Sequence, residues 1–276
     1  MQVGSDLRQD QLILQLLAVL DRLWTADGLE LPLSLYKVVS TGPKEGLIEV
    51  VPRAETLASI HSSGSVKSLG AFSEDALHRW LQAQHLQLLQ ESGLRPDSDA
   101  AQQQWDLCME RFVNSCAGYC VATYVFGIAD RHNDNIMLCA DGKLFHIDFG
   151  HILGNVKHKL GVRRERAPFV LTKAMAHVMG GEGSRHYDQF VGQCCRAYNC
   201  VRRNMRVLTA LLALVVSTGL PELTSYADLD YVVNTLSPKL SEEEAADKFK
   251  QLIAESLHSL STTINHAIHI GYHYGI

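Results

Sequence analysis

The residues whose types and spacing point to chemistry lie between Gly127 and Gly150. Asp130-Arg131-His132-Asn133-Asp134-Asn135 is followed by two short apolar runs, Ile136-Met137-Leu138-Cys139 and Leu144-Phe145-His146-Ile147, and then by Asp148-Phe149-Gly150. Between the runs stands Ala140-Asp141-Gly142-Lys143, whose Asp-Gly pair signals a tight hairpin. Antiparallel pairing of the two arms is expected to set Asn135 beside Asp148 at the open end, Cα atoms roughly 5 Å apart. An amide oxygen and a carboxylate at that separation can share a hard cation such as Mg²⁺. His132 falls near the same end, and an imidazole with an ordinary pKa of about 6.5 can accept the proton of an attacking hydroxyl. Asp130 is placed to orient that ring or the loop backbone. The reaction these types suit is phosphoryl transfer, where positioning and electrostatics carry most of the catalysis. A hairpin with incidental polar ends is the plain alternative. The motif, the hairpin and the Asp-Phe-Gly triplet in series argue against it.

Elements must hold these residues in place. Ser5 or Asp6 can cap a helix whose apolar positions are Leu12, Leu16, Leu17, Leu20 and Leu23, ended by Gly28. Strand-like runs at 33–40 and 47–51 flank a turn at 41–46. After Pro52 the pattern is helical at 54–61, 73–92 and 102–126, with a polar, breaker-rich stretch at 91–99 that reads as an exposed insertion. Further helical patterns run through 187–217, 226–236 and 242–270. Gly180-Gly181-Glu182-Gly183 follows no strand and reads as a helix-ending turn rather than a phosphate loop. His266, His269 and His273 share a helical face, but no carboxylate or thiol joins them as a metal set.

Composition bounds the answer. The chain has 276 residues, 46% hydrophobic and 20% charged, which excludes a disordered or low-complexity chain. A formal net charge of −5 makes the surface as a whole no partner for nucleic acid. The longest strongly apolar stretch, 207–216, is about half of the roughly 20 residues a membrane-spanning helix needs. The polar start of the chain does not resemble a signal peptide, and the cysteine usage reads as cytosolic or nuclear in redox terms, with a cytoplasmic location expected. The seven cysteines are scattered without a CxxC pair and are expected to be buried free thiols, Cys116 and Cys120 included.

Taken together the motifs resemble the protein-kinase layout with its order altered, Asp-Arg-His standing for His-Arg-Asp. More specifically, the chain resembles the catalytic domain of a phosphoinositide 3-kinase over nearly its whole length. The blocks that carry the likeness are Asp6-Leu7-Arg8-Gln9-Asp10, Gly46-Leu47-Ile48-Glu49-Val50-Val51, Ser115-Cys116-Ala117-Gly118-Tyr119-Cys120-Val121-Ala122-Thr123, the 130–135 loop, His146-Ile147-Asp148-Phe149-Gly150-His151 and Arg164-Glu165-Arg166-Ala167-Pro168-Phe169. The resemblance implies an α+β, protein-kinase-like fold. It divides into a truncated, β-containing N-lobe with hinge strand at 1–51 and a mostly helical C-lobe at 52–276. It implies ATP as co-substrate with Mg²⁺. Glu49 and Val51 fall at the hinge that binds adenine through its backbone, Asp10 and Tyr36 at the polar back of the nucleotide pocket, and Met137 and Ile147 at its apolar floor. His151 is an alternative or additional catalytic histidine beside His132 and Asp130, and Asn135 and Asp148 are the metal ligands.

After Asp-Phe-Gly, the residues Lys157, Lys159, Arg163, Arg164 and Arg166 oppose Glu165 alone, a net +4 over ten residues of an acidic chain. In the resemblance this run is the activation loop, and it suits a polyanionic lipid head group beside an anionic leaflet. The loop resembles those of class I enzymes, which accept phosphatidylinositol 4,5-bisphosphate, whereas Cys194-Cys195-Arg196-Ala197-Tyr198-Asn199 and the region after Leu220 resemble class II. The expected partners are membrane phosphoinositides reached by peripheral recruitment, with a regulatory subunit as a possible further one. One departure stands out: Gln2 occupies the position of the family's phosphate-holding lysine. A catalytically impaired lipid-binding fragment and a related protein kinase are the alternatives.

Overall fold

The computed structural model describes residues 2–4, 6–63, 73–154, 158–159, 162–163 and 167–259. It is mostly helical with small sheets, in line with the fold expected. The first helix, α1 (Arg8–Ala26), buries Leu12, Ile13, Leu16, Leu17, Leu20 and Trp24 along one face. Its N-cap is Leu7 rather than Asp6, because the Asp6 carboxylate is taken up by the Arg8 guanidinium and backbone N–H. The strands β1 (Gln2–Val3), β2 (Val38–Gly42) and β3 (Glu45–Ile48) form an antiparallel sheet in the order β1-β3-β2.

The strand expected over 33–40 starts only at Val38. The preceding residues are drawn onto a helix instead. A Cβ at Gly118 would lie 3.0 Å from Leu33 Cδ2 and 3.5 Å from Leu31 Cβ, and Tyr119 donates its hydroxyl to the Ser34 carbonyl at 3.4 Å. Close approach to a side-chain-free helix position satisfies this segment without a sheet partner.

A second correction concerns 54–61, expected to be helical throughout. Ala54–Thr56 is a strand, β4, and the helix α2 is Leu57–Ser63. β4 pairs antiparallel with β5 (Ile136–Cys139), which pairs in turn with β6 (Leu144–His146). A three-residue strand has no periodicity to read; the free edge of β5 decides its conformation. The expected Asp-Gly turn closes the β5–β6 hairpin, with Gly142 at φ 95 and no room for a Cβ against the Cys108 carbonyl.

α3 (Ala76–Ser92) ends at Gly93 in the left-handed conformation, and Ser98 caps α4 (Asp99–Val125) by accepting from the Ala101 N–H. From Phe112 to Ala122 every residue of α4 is buried, so this helix is the central post of the molecule. Against it pack β6, through the Leu144 N–H donating to Ser115 Oγ at 2.9 Å, and α6 (Arg185–Arg203), whose Ala197 carbonyl accepts from Trp24 Nε1 at 3.1 Å. α5 (Lys173–Val178) ends in the expected glycine turn at 180–183. α7 (Met205–Val215), a 3-10 turn at Val216–Thr218, another at Tyr226–Leu229, α8 (Asp230–Leu236) and α9 (Glu242–His258) complete the described chain. The three histidines near the C-terminus lie outside the described residues. All seven cysteines are buried and free.

Phe249 of α9 joins the far side of this core. Its ring centroid lies 4.9 Å from that of Tyr198, 5.5 Å from Phe169 and 5.7 Å from Tyr124. Removing it opens a cavity among three aromatic rings, so Phe249→Ala should cost about 3–5 kcal/mol, and Phe249→Leu clearly less. Urea unfolding followed by circular dichroism checks this; equal losses for both variants would mean that ring packing is not what holds α9.

Candidate active site

The loop 127–135 runs antiparallel to the segment that leaves β6. Ala129 N–H donates to the His151 carbonyl at 3.0 Å, Leu153 N–H to the Phe126 carbonyl at 2.7 Å, and Gly154 N–H to the Gly127 carbonyl at 3.2 Å. Asp130, Asp148 and Leu153 all hold positive φ, at 55, 59 and 53. Three such non-glycine residues in these two adjoining segments require surroundings that over-determine them.

Arg131 supplies much of that determination. Its side chain is buried, and its Nε donates to the Ala129 carbonyl at 3.0 Å. One terminal nitrogen donates to the Ile147 carbonyl at 2.7 Å and the other to the Asp148 carbonyl. Its guanidinium carbon stands 5.9 Å from the centroid of the Phe149 ring. Asn135 closes the loop from inside, its Oδ1 accepting from the His132 N–H at 2.9 Å and its Nδ2 donating to the Asp130 carbonyl at 2.7 Å.

The hairpin register differs from expectation by one residue. Ile136 pairs with His146, and the Ile147 N–H donates to the Asn135 carbonyl at 3.0 Å, so Asn135 faces Ile147 and Asp148 lies one residue further on. In a regular strand Asp148 would then point to the opposite face. Its left-handed backbone breaks that alternation, and its carboxylate is exposed, with Oδ1 3.3 Å from the Gly150 N–H.

The Asp-Phe-Gly segment is gripped from α1. Phe149 N–H donates to Asp10 Oδ1 at 2.9 Å, while its carbonyl accepts from Gln9 Nε2 at 2.9 Å, so both backbone groups of Phe149 are held by consecutive residues. Burial raises the carboxyl pKa of Asp10 above its ordinary value, and the charge of Asp148 adds to the rise, which places the two carboxylates within electrostatic reach. Tyr36 donates its hydroxyl toward the His146 carbonyl at 3.5 Å; burial, then Tyr119 and Asp10, push its phenol upward. His146 itself stacks on Tyr119 with centroids 5.1 Å apart, and burial followed by the Arg131 charge holds it neutral.

The structure thus brings Asp10, Tyr36, Asp130, His132, Asn135 and Asp148 around the loop and hairpin. His132 has Nδ1 3.3 Å from the Asp134 N–H and Nε2 3.3 Å from Asn135 Nδ2. Met137 and Ile147 are half-buried, and the register puts them on one face of the hairpin. Glu49 is exposed beyond the end of β3, its N–H committed to the Lys37 carbonyl at 2.8 Å. Val51 follows, half-buried. Of the basic run, Lys157, Arg164 and Arg166 lie outside the described residues; Lys159 and Arg163 belong to two paired two-residue strands, β7 (His158–Lys159) and β8 (Val162–Arg163).

Sequence reasoning missed the structural parts of Gln9, Arg131, Glu222 and Tyr231. Gln9 and Arg131 stand inside motifs already singled out, so their neighbours were the available signal. The other two have none: the Glu222 carboxylate meets His151 and Ile152 across the fold, and the Tyr231 ring fills the space beside Gly127 and Gly154, where a Cβ on Gly127 would come within 2.6 Å of it.

Magnesium takes one or two carboxylates together with phosphate oxygens and water, and the residues present fit such an ion. The Asp148 carboxylate is exposed, the Asn135 oxygen has spent one of its two lone pairs, and a second carboxylate, Asp10, lies nearby with its charge disfavoured.

Comparison with known proteins agrees with this geometry. The family model for phosphatidylinositol 3- and 4-kinases matches residues 1–225. Phosphatidylinositol 3-kinase 1 of Dictyostelium discoideum is 47% identical over 266 residues, covering 96% of this chain and 16% of that protein. The human phosphatidylinositol 3-kinase C2 domain-containing subunit gamma is 41% identical over 269 residues, 96% of this chain and 17% of that protein. The phosphatidylinositol 4-phosphate 3-kinase C2 domain-containing subunit alpha of Pongo abelii is 42% identical over 269 residues, 97% of this chain and 15% of that protein. The chain therefore spans about a sixth of the length of these relatives. With its loop, hairpin and Asp-Phe-Gly segment arranged as above, the chain belongs to the phosphatidylinositol 3- and 4-kinase family.

Proposed function

We propose that this chain is the catalytic region of an ATP-dependent lipid kinase that phosphorylates the 3-hydroxyl of the inositol ring of phosphoinositides, with phosphatidylinositol 4,5-bisphosphate as the preferred substrate. The observation that carries the reading is the Arg131 clamp, which holds the His132 and Asn135 loop against Asp148. Asn135 and Asp148 would hold Mg²⁺, which when bound bridges the nucleotide phosphates and offsets their charge. Glu49 and Val51 offer backbone groups to adenine, Met137 and Ile147 an apolar floor, and Tyr36 and Asp10 the polar back wall. His132 and His151 are the two imidazoles available to take the substrate hydroxyl proton, and Asp130 shapes the loop through its carbonyl. Lys157, Lys159, Arg163, Arg164 and Arg166 meet the lipid head group. No helix among the described residues is long and apolar enough to cross a membrane, and the enzyme would act by peripheral recruitment from the cytoplasm.

A specific observation favours phosphatidylinositol 4-phosphate as a second substrate reading: a relative 42% identical is named for that activity. Labelled ATP offered with vesicles of phosphatidylinositol, its 4-phosphate or its 4,5-bisphosphate ranks the three. Asp148→Asn should lower the labelled 3-phosphate product at least about 10²-fold. Vesicle binding without product supports the impaired fragment suggested by Gln2, and labelled peptide without labelled lipid supports a protein kinase.

The raised pKa of Asp10 makes a second expectation. A carboxyl whose folded pKa is raised stabilises the fold below its unfolded pKa and loses that contribution as pH climbs through the folded pKa. At neutral pH the charge on Asp10 is therefore a burden on the fold. Asp10→Asn keeps an acceptor for the Phe149 N–H and removes the charge, so its Tm should exceed that of the unaltered chain, with the gap closing as pH falls. Nucleotide turnover should fall in the same variant. Thermal melts at several pH values check the sign, and a lower Tm at pH 7 would refute it.

A further inference from the structure

The segment that follows the catalytic aspartate is held from the far end of the chain. Glu222 sits in the turn closed by the Leu220–Leu223 bridge, and both of those leucines are buried. Arg8 steadies the approach to this turn, its guanidinium reaching the Thr218 and Gly219 carbonyls at 3.4 Å each. From there the Glu222 carboxylate spans two neighbours. Oε2 accepts the Ile152 N–H at 2.5 Å, and Oε1 lies 2.7 Å from His151 Nδ1.

These two contacts fix more than a position. A glutamate carboxylate at neutral pH only accepts hydrogen bonds. The Ile152 N–H is a donor by constitution, and the partner of Oε1 must be a donor as well, so Nδ1 carries the hydrogen. A neutral imidazole has one N–H, which leaves Nε2 with its lone pair. The ring is 29% exposed and the carboxylate 16%, so the pair is partly open to solvent rather than sealed within the core. The His151 carbonyl meanwhile accepts from the Ala129 N–H at 3.0 Å, in the catalytic loop. Backbone and ring of His151 are thus anchored on opposite sides.

We propose that Glu222 is a positioning residue that, through His151, presents an unprotonated Nε2 to the substrate hydroxyl. The proposal rests on the lipid-kinase reading. In the reaction the hydroxyl oxygen bonds to the γ-phosphorus, and the bond from that phosphorus to the β,γ-bridging oxygen breaks. ADP leaves with the electron pair, and the hydroxyl proton passes to His151 Nε2. A merely structural Glu222 would staple residues 151–152 without setting the ring's tautomer.

Nitrogen-15 spectra of imidazole-labelled chain separate the two roles, the His151 signals being assigned by their loss in His151→Gln. The expected result is the Nδ1–H tautomer in the unaltered chain and a shift toward Nε2–H in Glu222→Ala. Glu222→Gln, which keeps the shape but offers one acceptor to two donors, serves if the alanine variant does not fold. Turnover on phosphoinositide vesicles should drop about 10²-fold in either variant with KM for ATP within twofold. The loss should not add to that of His151→Gln. An Nε2–H tautomer in the unaltered chain, a tautomer that no Glu222 variant changes, or additive losses would overturn the proposal. Absence of turnover in the unaltered chain would instead sink the lipid-kinase reading, with the spectra still deciding what Glu222 does to His151.

Discussion

The guanidinium of Arg131 donates to the carbonyls of Ala129, Ile147 and Asp148, and most of the site's geometry follows from that capture. A buried guanidinium must place its donors, because an unpaired buried charge is strongly unfavourable. Its donors form a rigid planar fork, which a lysine could not imitate. The 127–135 loop and the end of β6 are therefore held at the spacing of that fork. With the carbonyls of Ile147 and Asp148 turned inward, the chain at Asp148 enters the left-handed region and its carboxylate is released toward solvent. One residue inside a short loop thereby sets the direction of a side chain in another strand.

The segment so captured is braced from both ends of the sequence. Gln9 and Asp10 on α1 take both backbone groups of Phe149, and Glu222 takes the Ile152 N–H. The Tyr231 ring, whose hydroxyl reaches the Tyr124 carbonyl at 3.3 Å, occupies the notch beside Gly127 and Gly154. A side chain at Gly127 or Gly154 would collide with that ring, and both glycines hold positive φ. The loop that carries His132 and the segment that carries Asp148 thus share one wall, and α4, buried over its last turns, stands behind it.

Local signals made the hairpin, its Asp-Gly turn, the long helices and the glycine turn after α5 legible, because each depends on residues close together in the chain. The failures share a cause. β4 exists because β5 has an edge to fill, and 29–36 follow α4 because Gly118 lets Leu31 and Leu33 approach. The register at Asn135 shifted by one because the turn closes with the Cys139 N–H on the Lys143 carbonyl, so that Leu138 rather than Cys139 faces Leu144 and every later pair follows. Gln9 and Arg131 were readable as members of motifs but not as clamps, and the contact between Glu222 and His151 joins positions 71 residues apart with no periodicity between them. Pairings made across the fold leave no trace in a single sequence unless a motif already marks both partners.

The burial of Asp10 bears on this bracing. Asp10 and Asp148 lie within electrostatic reach of one another, and Asp10 is largely removed from water, so the folded chain carries two carboxylates in a setting that disfavours the charge on one of them. The bonds from Asp10 and Gln9 to the Phe149 backbone and the Arg131 clamp on the carbonyls before it fix the Asp-Phe-Gly segment in this setting. The two carboxylates are therefore held in one site, where a bound cation would offset their charge. Any ligand that binds the folded state alone raises its stability by mass action, so a cation held by these carboxylates would make the fold firmer.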